Sequence, residues 1–215
     1  MTQTVPTRSL TVKGERTRRK IVDTAADLML NDGVAGTTVE DVCAAAGVGK
    51  SQVYHYFDDK GELIRAVIER QADRVFSGQE PHLAHIRGWE NWEAWRDFVV
   101  ETQGTAGCVG GCPLGSLASE LADEDELTRQ VLAKSFERWE RAFLGAVQQT
   151  KDLGLIREDA DTALLATTLL AALQGGLLLC QTRKDVAPLE TSLDGAIGYL
   201  RTFATEASAR CRDSG

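Results

Sequence analysis

Apolar residues recur at steps of three and four positions along almost the whole chain, which is the period of an amphipathic α-helix. The apolar face of a first helix is formed by Ile21, Ala25, Leu28 and Met29. We expect this helix to stop near Gly33, because glycine readily adopts the left-handed conformation of a C-cap. No convincing run of strict alternation between apolar and polar residues predicts a strand. The pattern therefore predicts an all-α protein of about nine helices.

Residues 37–57 predict two short helices joined by a tight turn. Thr37 or Thr38 can cap the first of them, since each has an acidic residue three positions later to complete a capping box. Gly47 ends this helix after barely two turns, and a glycine there accepts positive φ. The second helix is left with outward-facing polar side chains at Lys50, Ser51, Gln52 and His55. These groups can hydrogen-bond base edges or phosphates, so the segment indicates a DNA-binding helix-turn-helix.

Beyond residue 80 the predicted helices are longer and more apolar. Aromatic residues recur at helical steps, and residues 160–183 are apolar nearly all round, which signals burial on more than one side. We therefore expect three parts. An N-terminal arm with the helix-turn-helix occupies residues 1–60, a connecting helix 61–80, and a larger C-terminal helical domain 81–215.

Charge is distributed unevenly along the chain. The formal net charge of -8 argues against a general nucleic-acid coat. The first 20 residues nevertheless carry six basic side chains against Glu15 alone: Arg8, Lys13, Arg16, Arg18, Arg19 and Lys20. A basic arm on an acidic body suits binding of a polyanion at one end only. Taken alone, a solvated charged tail would be the simpler explanation.

The N-terminus lacks the apolar segment of a signal peptide, so we expect a cytoplasmic protein whose five cysteines are free thiols. The one candidate for a membrane span is residues 163–180. Polar residues and a glycine pair interrupt it, and it is shorter than the roughly 20 apolar residues of a span. We expect a buried helix there and no membrane association.

The sequence GVGKSQVYHYFDDKGELI, residues 47–64, resembles the TetR family of bacterial transcriptional repressors. The positions in register with the family pattern are Val48, Tyr54, Phe57, Lys60 and Leu63. Cys43 departs from the pattern, since the family usually has alanine there. The resemblance implies an all-helical homodimer that binds double-stranded DNA at an inverted-repeat operator and senses a small-molecule effector.

The same resemblance assigns roles within the DNA-binding segment. By position, Lys50, Ser51 and Gln52 face bases, whereas Tyr54, His55 and Lys60 face phosphates. Thr37 or Thr38 reaches a phosphate from the cap of the preceding helix. Two alternatives stay open: Tyr54 as a packing aromatic, and Lys60 as a solvated lysine at a helix start.

The segment GCPLGSLASEL, residues 111–121, resembles a motif of the LmrA/YxaF-like subgroup of that family. It supports a regulatory C-terminal domain in which the glycine-rich stretch 104–115 acts as a hinge. The alternative is a simple interhelical loop.

Two further groups of residues are candidates for function in the C-terminal domain. A cavity for an apolar, planar effector would be lined by Trp92, Trp95, Phe98, Trp139 and Phe143, unless these are plain core residues. The last two helices would pair with those of a second subunit as a four-helix bundle. The candidate interface residues are Leu170, Leu177, Leu193, Ile197 and Leu200.

A different class of regulator would use Cys108 and Cys112, together with His82 and His85, as a metal or redox site. The histidine spacing is tighter than in zinc fingers, which disfavours the metal. No nucleophile elbow, phosphate-binding loop or metalloprotease motif is present, so we expect no enzyme, catalytic residue, metal or cofactor.

Overall fold

The computed structural model describes residues 11–206 and Ser208. Arg8 of the predicted basic arm and Cys211 lie outside these residues. Within them the chain forms nine α-helices and no strand, with an isolated bridge between Ile156 and Ala204. In chain order the helices are α1 (Val12–Gly36), α2 (Val39–Ala46), α3 (Lys50–Tyr56), α4 (Lys60–Leu83), α5 (Trp89–Thr105), α6 (Pro113–Leu121), α7 (Glu126–Asp152), α8 (Thr162–Arg183) and α9 (Ala187–Arg201). The all-α prediction is confirmed.

The chain divides into two compact units after Arg70, within α4. This division falls inside the connecting helix expected at residues 61–80. Helix α4 continues through Pro81 to Leu83, three residues beyond the predicted end at residue 80. Helix α4 is therefore one continuous helix that contributes to both units.

The first unit packs α1, α2, α3 and the start of α4 around an aliphatic core. Helix α1 breaks its helical geometry at Gly33 (φ 77°), as the sequence predicted. An ion pair of 2.6 Å joins Arg70 Nε on α4 to Asp23 Oδ1 on α1. The buried side chains include Ile21, Ala25, Met29, Val42, Ala46, Val53, Phe57 and Leu63.

The second unit is organised by α8, which packs against both α7 and α9. The closest approach involves Gly176 on α8, where an added Cβ would lie 3.1 Å from the Leu189 backbone of α9. Only a glycine therefore lets the two helices meet at this distance. Around this core Trp92, Trp95 and Trp139 are buried with Phe143.

Helix α8 is long and apolar enough to cross a membrane, judged by length and composition alone. One side of it, however, is buried against α7 and α9. The opposite side exposes large apolar side chains at Leu164, Leu178 and Leu179. The expected buried helix is therefore buried on one side only.

The structure contradicts the residues predicted for the dimer interface. These residues, Leu170, Leu177, Leu193, Ile197 and Leu200, are at most 9% exposed and belong to the core of a single chain. Helix α8 is apolar on nearly every side, so its pattern does not distinguish the side that packs within the chain from the side left outside.

Candidate functional site

The first short helix, α2, begins with a capping box. The Asp41 backbone N–H donates to the Thr38 hydroxyl at 3.1 Å, and the Thr38 N–H donates to the Asp41 carboxylate at 2.9 Å. The Thr38 hydroxyl also donates to the Asp41 carboxylate, and this hydrogen bond together with the one from the Thr38 N–H lowers the pKa of Asp41. Of the two predicted caps, Thr38 is the one used, which fixes where α2 starts.

The turn between α2 and α3 is tight because Gly47 adopts φ 63° and ψ 41°. The Val48 N–H donates to the Cys43 carbonyl at 3.0 Å and closes this turn. Val53 and Phe57 are each 1% exposed and fix α3 against the rest of the unit. Helices α2 and α3 therefore form the predicted helix-turn-helix.

The outer side of α3 is polar and exposed. Its exposed residues are Lys50, Ser51, Gln52, Tyr54 and His55. Lys50 Nζ donates to Glu40 Oε1 at 2.5 Å, which raises the pKa of Lys50 and lowers that of Glu40. The Lys50 ammonium also lies 6.0 Å from the centroid of the Tyr54 ring. The surface thus presents hydrogen-bonding groups and one cation held by a carboxylate.

Thr37 and Lys60 have partners inside the unit. Thr37 is 2% exposed, and its hydroxyl donates to the Gly33 carbonyl at 2.8 Å. This burial contradicts the predicted phosphate contact for Thr37, whereas Thr38 is exposed. Lys60 is half-buried, and its Nζ donates to the Val34 carbonyl at 3.0 Å. One N–H of Lys60 therefore ties the start of α4 to α1, and two remain for another acceptor.

Basic residues predicted as an arm form the first turns of α1 from Lys13 onward. Arg18 is half-buried over the Phe57 ring, 5.1 Å from its centroid. The exposed members are Lys13, Arg16, Arg19 and Lys20. They add positive charge to the unit that carries the helix-turn-helix.

Among the concave sites of the second unit, two are lined by aromatic residues predicted to bind the effector. The first, which we call the α5 cavity, has a volume of about 180 Å³ and is lined by α4, α5, residues 111–113, Trp139, Leu173 and Leu177. The second, the α7 cleft, has about 350 Å³ between the ends of α4 and α7. Trp139 lines both sites and Phe98 lines the α5 cavity.

Three of the predicted effector-binding aromatics are core residues instead. Trp92 and Phe143 are fully buried, as is Trp95, and none of them lines the α5 cavity or the α7 cleft. Trp92 Nε1 donates to Thr150 Oγ1 at 3.0 Å, which satisfies its indole N–H inside the unit. The structure therefore places these three side chains in the core and not at either concave site.

Two glutamines that line the α5 cavity, Gln79 and Gln103, were not predicted from the sequence. A signal was available, because Gln79 follows Val75 by four residues and so continues the apolar stripe of α4. Gln103 follows Val99 on α5 in the same way. A polar side chain that continues an apolar stripe points inward and needs a partner there.

The cysteines do not support the alternative site. Cys112 caps α6, where its Sγ accepts from the Gly115 N–H at 3.3 Å, and burial raises its pKa. Burial and the neighbouring Cys108 thiol raise the pKa of Cys180 to about 11. Such thiols stay protonated at neutral pH, which disfavours redox reactivity. Across residues 11–206, no three metal-binding side chains cluster, so His82 and His85 do not join Cys108 and Cys112.

Comparison with known protein families gives two matches. Residues 21–67 match the family described as bacterial regulatory proteins, tetR family. Residues 89–196 match the Tetracyclin repressor-like C-terminal domain. The first match contains the helix-turn-helix, and the second covers α5 to α8 and most of α9.

Relatives of known description extend over nearly the whole chain. The HTH-type transcriptional repressor DhaR of Mycobacterium sp. strain GP1 is 27% identical, over 82% of this chain and 88% of that protein. The uncharacterised HTH-type transcriptional regulator YxaF of Bacillus subtilis is 27% identical, over 84% of this chain and 92% of that protein. The crystal structure of a TetR transcriptional regulator from Chloroflexus aurantiacus superposes with a TM-score of 0.76 and 26% identity, covering 90% of this chain and 98% of that one.

Proposed function

This chain belongs to the TetR family and is a transcription regulator, not an enzyme, and we propose that it is a cytoplasmic, ligand-responsive repressor. In this proposal a homodimer binds an inverted-repeat operator and leaves it when a small, largely apolar molecule binds. The observation that carries the proposal is the exposed polar side of α3, anchored by Val53 and Phe57 after a capped α2 and a left-handed Gly47.

For DNA binding, α3 enters the major groove. Lys50, Ser51 and Gln52 contact base edges, and Tyr54, His55 and Lys60 contact phosphates. The exposed basic residues of α1 add further phosphate contacts, and Thr38 is a candidate for one more. The exposure of α3 supports these roles, as does the free hydrogen-bonding capacity of the Lys60 ammonium.

For dimerisation, the exposed side of α8 packs against a second copy of this chain. That side carries Leu164, Ala171, Gly175 and Leu178, which recur at helical spacing and are all exposed. Tyr199, 39% exposed, extends the apolar surface on α9. Small residues at two of these positions allow close helix packing. Family members bind DNA and small-molecule effectors as dimers, which supports this interface.

For induction, the effector occupies the α5 cavity. Helix α4 lines that cavity with Val75 and Gln79 and continues without interruption to Lys60 beside the helix-turn-helix. A helix of 24 residues is about 36 Å long, so it transmits a small displacement of one end to the other. The two helix-turn-helix units of the dimer must be spaced for successive major grooves, about 34–36 Å apart. When that spacing changes, one of the two units loses its half-site. Effector and DNA weaken each other's binding by the same factor.

The proposal is tested by selecting binding sites from random double-stranded DNA with the purified full-length protein, followed by footprinting. We expect enrichment of one inverted repeat, protected on both half-sites, because two-fold protein symmetry imposes two-fold symmetry on the contacts. Enrichment of no sequence, or protection of one half-site at saturation, would contradict it.

A further inference from the structure

Few buried polar atoms in this protein lack a hydrogen-bond partner. Among the described residues they are Gln103 Oε1, Gln174 Nε2 and Arg201 Nε. A buried polar atom without a partner costs folding free energy, so each one calls for an explanation such as a bound ligand. Two of the three atoms are at or beside the α5 cavity.

Gln103 lines the α5 cavity directly. Two other polar groups of the wall, Gln79 Oε1 and the Thr102 hydroxyl, have hydrogen-bond partners within the protein. Gln79 Oε1 accepts from Trp95 Nε1 at 3.2 Å and from Trp139 Nε1 at 3.4 Å. The Thr102 hydroxyl donates to the Phe98 carbonyl at 2.7 Å. Gln103 Oε1 is therefore an acceptor in the wall that still requires a donor.

Gln174 lies beside the same cavity on α8, between the lining residues Leu173 and Leu177 in sequence. Its amide oxygen lies close to Gly115 in the first turn of α6, at 3.0 Å from where a Cβ would stand if this residue were not glycine. Its side chain also neighbours the thiol of Cys112, which lines the cavity. Gln174 Nε2 is therefore an unpartnered donor close to the cavity wall.

The size and charge of the cavity limit what binds there. A cavity of 150 Å³ holds one benzene molecule, and the α5 cavity has about 180 Å³. Its lining is mainly apolar, with Phe98, Val99, Leu173 and Leu177 among the residues. Arg74 is the one charged lining residue, and no carboxylate lines the cavity to attract a cation.

We propose that the effector is a neutral molecule of about one substituted ring that carries a hydroxyl or N–H group, which donates to Gln103 Oε1. A hydroxyl suits this environment, because it can donate its proton to the unpartnered acceptor Gln103 Oε1. This inference rests on the proposed role of the α5 cavity as the effector site.

The test compares phenol with toluene and benzoate, which share one ring, by calorimetric titration of the full-length protein. We expect phenol to bind about fivefold more tightly than toluene, since one net hydrogen bond is gained. Benzoate binds more weakly than phenol, because its carboxylate has no proton to donate to Gln103. A preference for benzoate would overturn the inference in favour of an anion held by Arg74.

The variant Gln103→Leu should remove the preference for phenol and leave toluene binding unchanged. Gln148→Leu is the matched control, since Gln148 is an exposed glutamine on α7 that bonds to Asp152. If phenol keeps its advantage in Gln103→Leu, or if neither phenol nor toluene binds the unaltered protein, the inference is wrong. If phenol binds as expected but operator affinity does not fall, the inference holds and the proposed induction mechanism fails.

Discussion

The two units of this chain use their side chains in opposite ways. The first unit has an aliphatic core and displays polar groups on α3, at fixed distances from the cap of α2 and from Gly47. The second unit buries its largest aromatic side chains and leaves apolar side chains of α8 exposed to solvent in the single chain. A polar side chain on a short amphipathic helix faces the solvent or a ligand bound from the solvent side. An apolar side chain on a helix that is apolar all round can face the core of its own chain, a cavity or a second subunit.

The largest effect is expected where the second unit exposes apolar surface. Leu178→Glu should dissociate the dimer, because Leu178 is 63% exposed in the single chain and a carboxylate at a paired interface loses its hydration. We expect a loss of about 3 kcal/mol or more, roughly a hundredfold in the dimer dissociation constant. Sedimentation velocity measures the change, and operator affinity should fall with it.

Leu127→Glu serves as the control for that substitution, since Leu127 is 58% exposed in the first turn of α7. It should remain dimeric. Dimers of equal stability in both variants would place the interface away from α8.

An intermediate effect is expected on α3. Gln52→Ala should cost about 1–3 kcal/mol on the preferred operator and change which base is favoured at one position of each half-site. His55→Ala should weaken binding to all sequences alike, because the imidazole contacts a phosphate and reads no base. Both are measured by titrating a panel of operator variants. Unchanged relative affinities in Gln52→Ala would remove Gln52 from base recognition.

The smallest effect concerns the ion pair between Glu40 and Lys50. Both side chains are more than half exposed, at 63% and 58%, so the pair contributes little to stability. Glu40→Gln removes a negative charge beside α3 and frees the Lys50 ammonium. We expect affinity for non-specific DNA to rise about two- to fivefold. Glu158→Gln, in the second unit, should change nothing, and a fall in affinity for Glu40→Gln would mean that the pair orients Lys50 toward DNA.

The helix-turn-helix could be predicted because its determinants are local. The side chains of Thr38 and Asp41 accept hydrogen bonds from each other's backbone N–H groups within one turn. Gly47 adopts the left-handed conformation of the turn without help from distant residues. The exposure of Thr37 could not be predicted, because its burial depends on the break in α1 at Gly33, whose carbonyl accepts from the Thr37 hydroxyl. Packing therefore decides which of the two adjacent threonines is buried and which is exposed.

The second unit could be predicted in outline only. Its helices follow from period and composition, but the partners of its polar groups are distant in sequence. Trp92 is satisfied by Thr150, 58 residues away, and Trp139 by Gln79, 60 residues away. Helical spacing contains no information on such distant contacts, so it could not separate Trp92 and Trp95, which line neither concave site, from Trp139, which lines both.

The shared acceptor Gln79 gives the protein an intrinsic optical reporter. Its side-chain amide oxygen accepts hydrogen bonds from the indole N–H groups of both Trp95 and Trp139. The same side chain lines both the α5 cavity and the α7 cleft. Indole emission depends on the hydrogen bond of the ring nitrogen and on the polarity around it. A molecule that displaces Gln79 therefore alters the fluorescence of two tryptophans at once, without any attached dye.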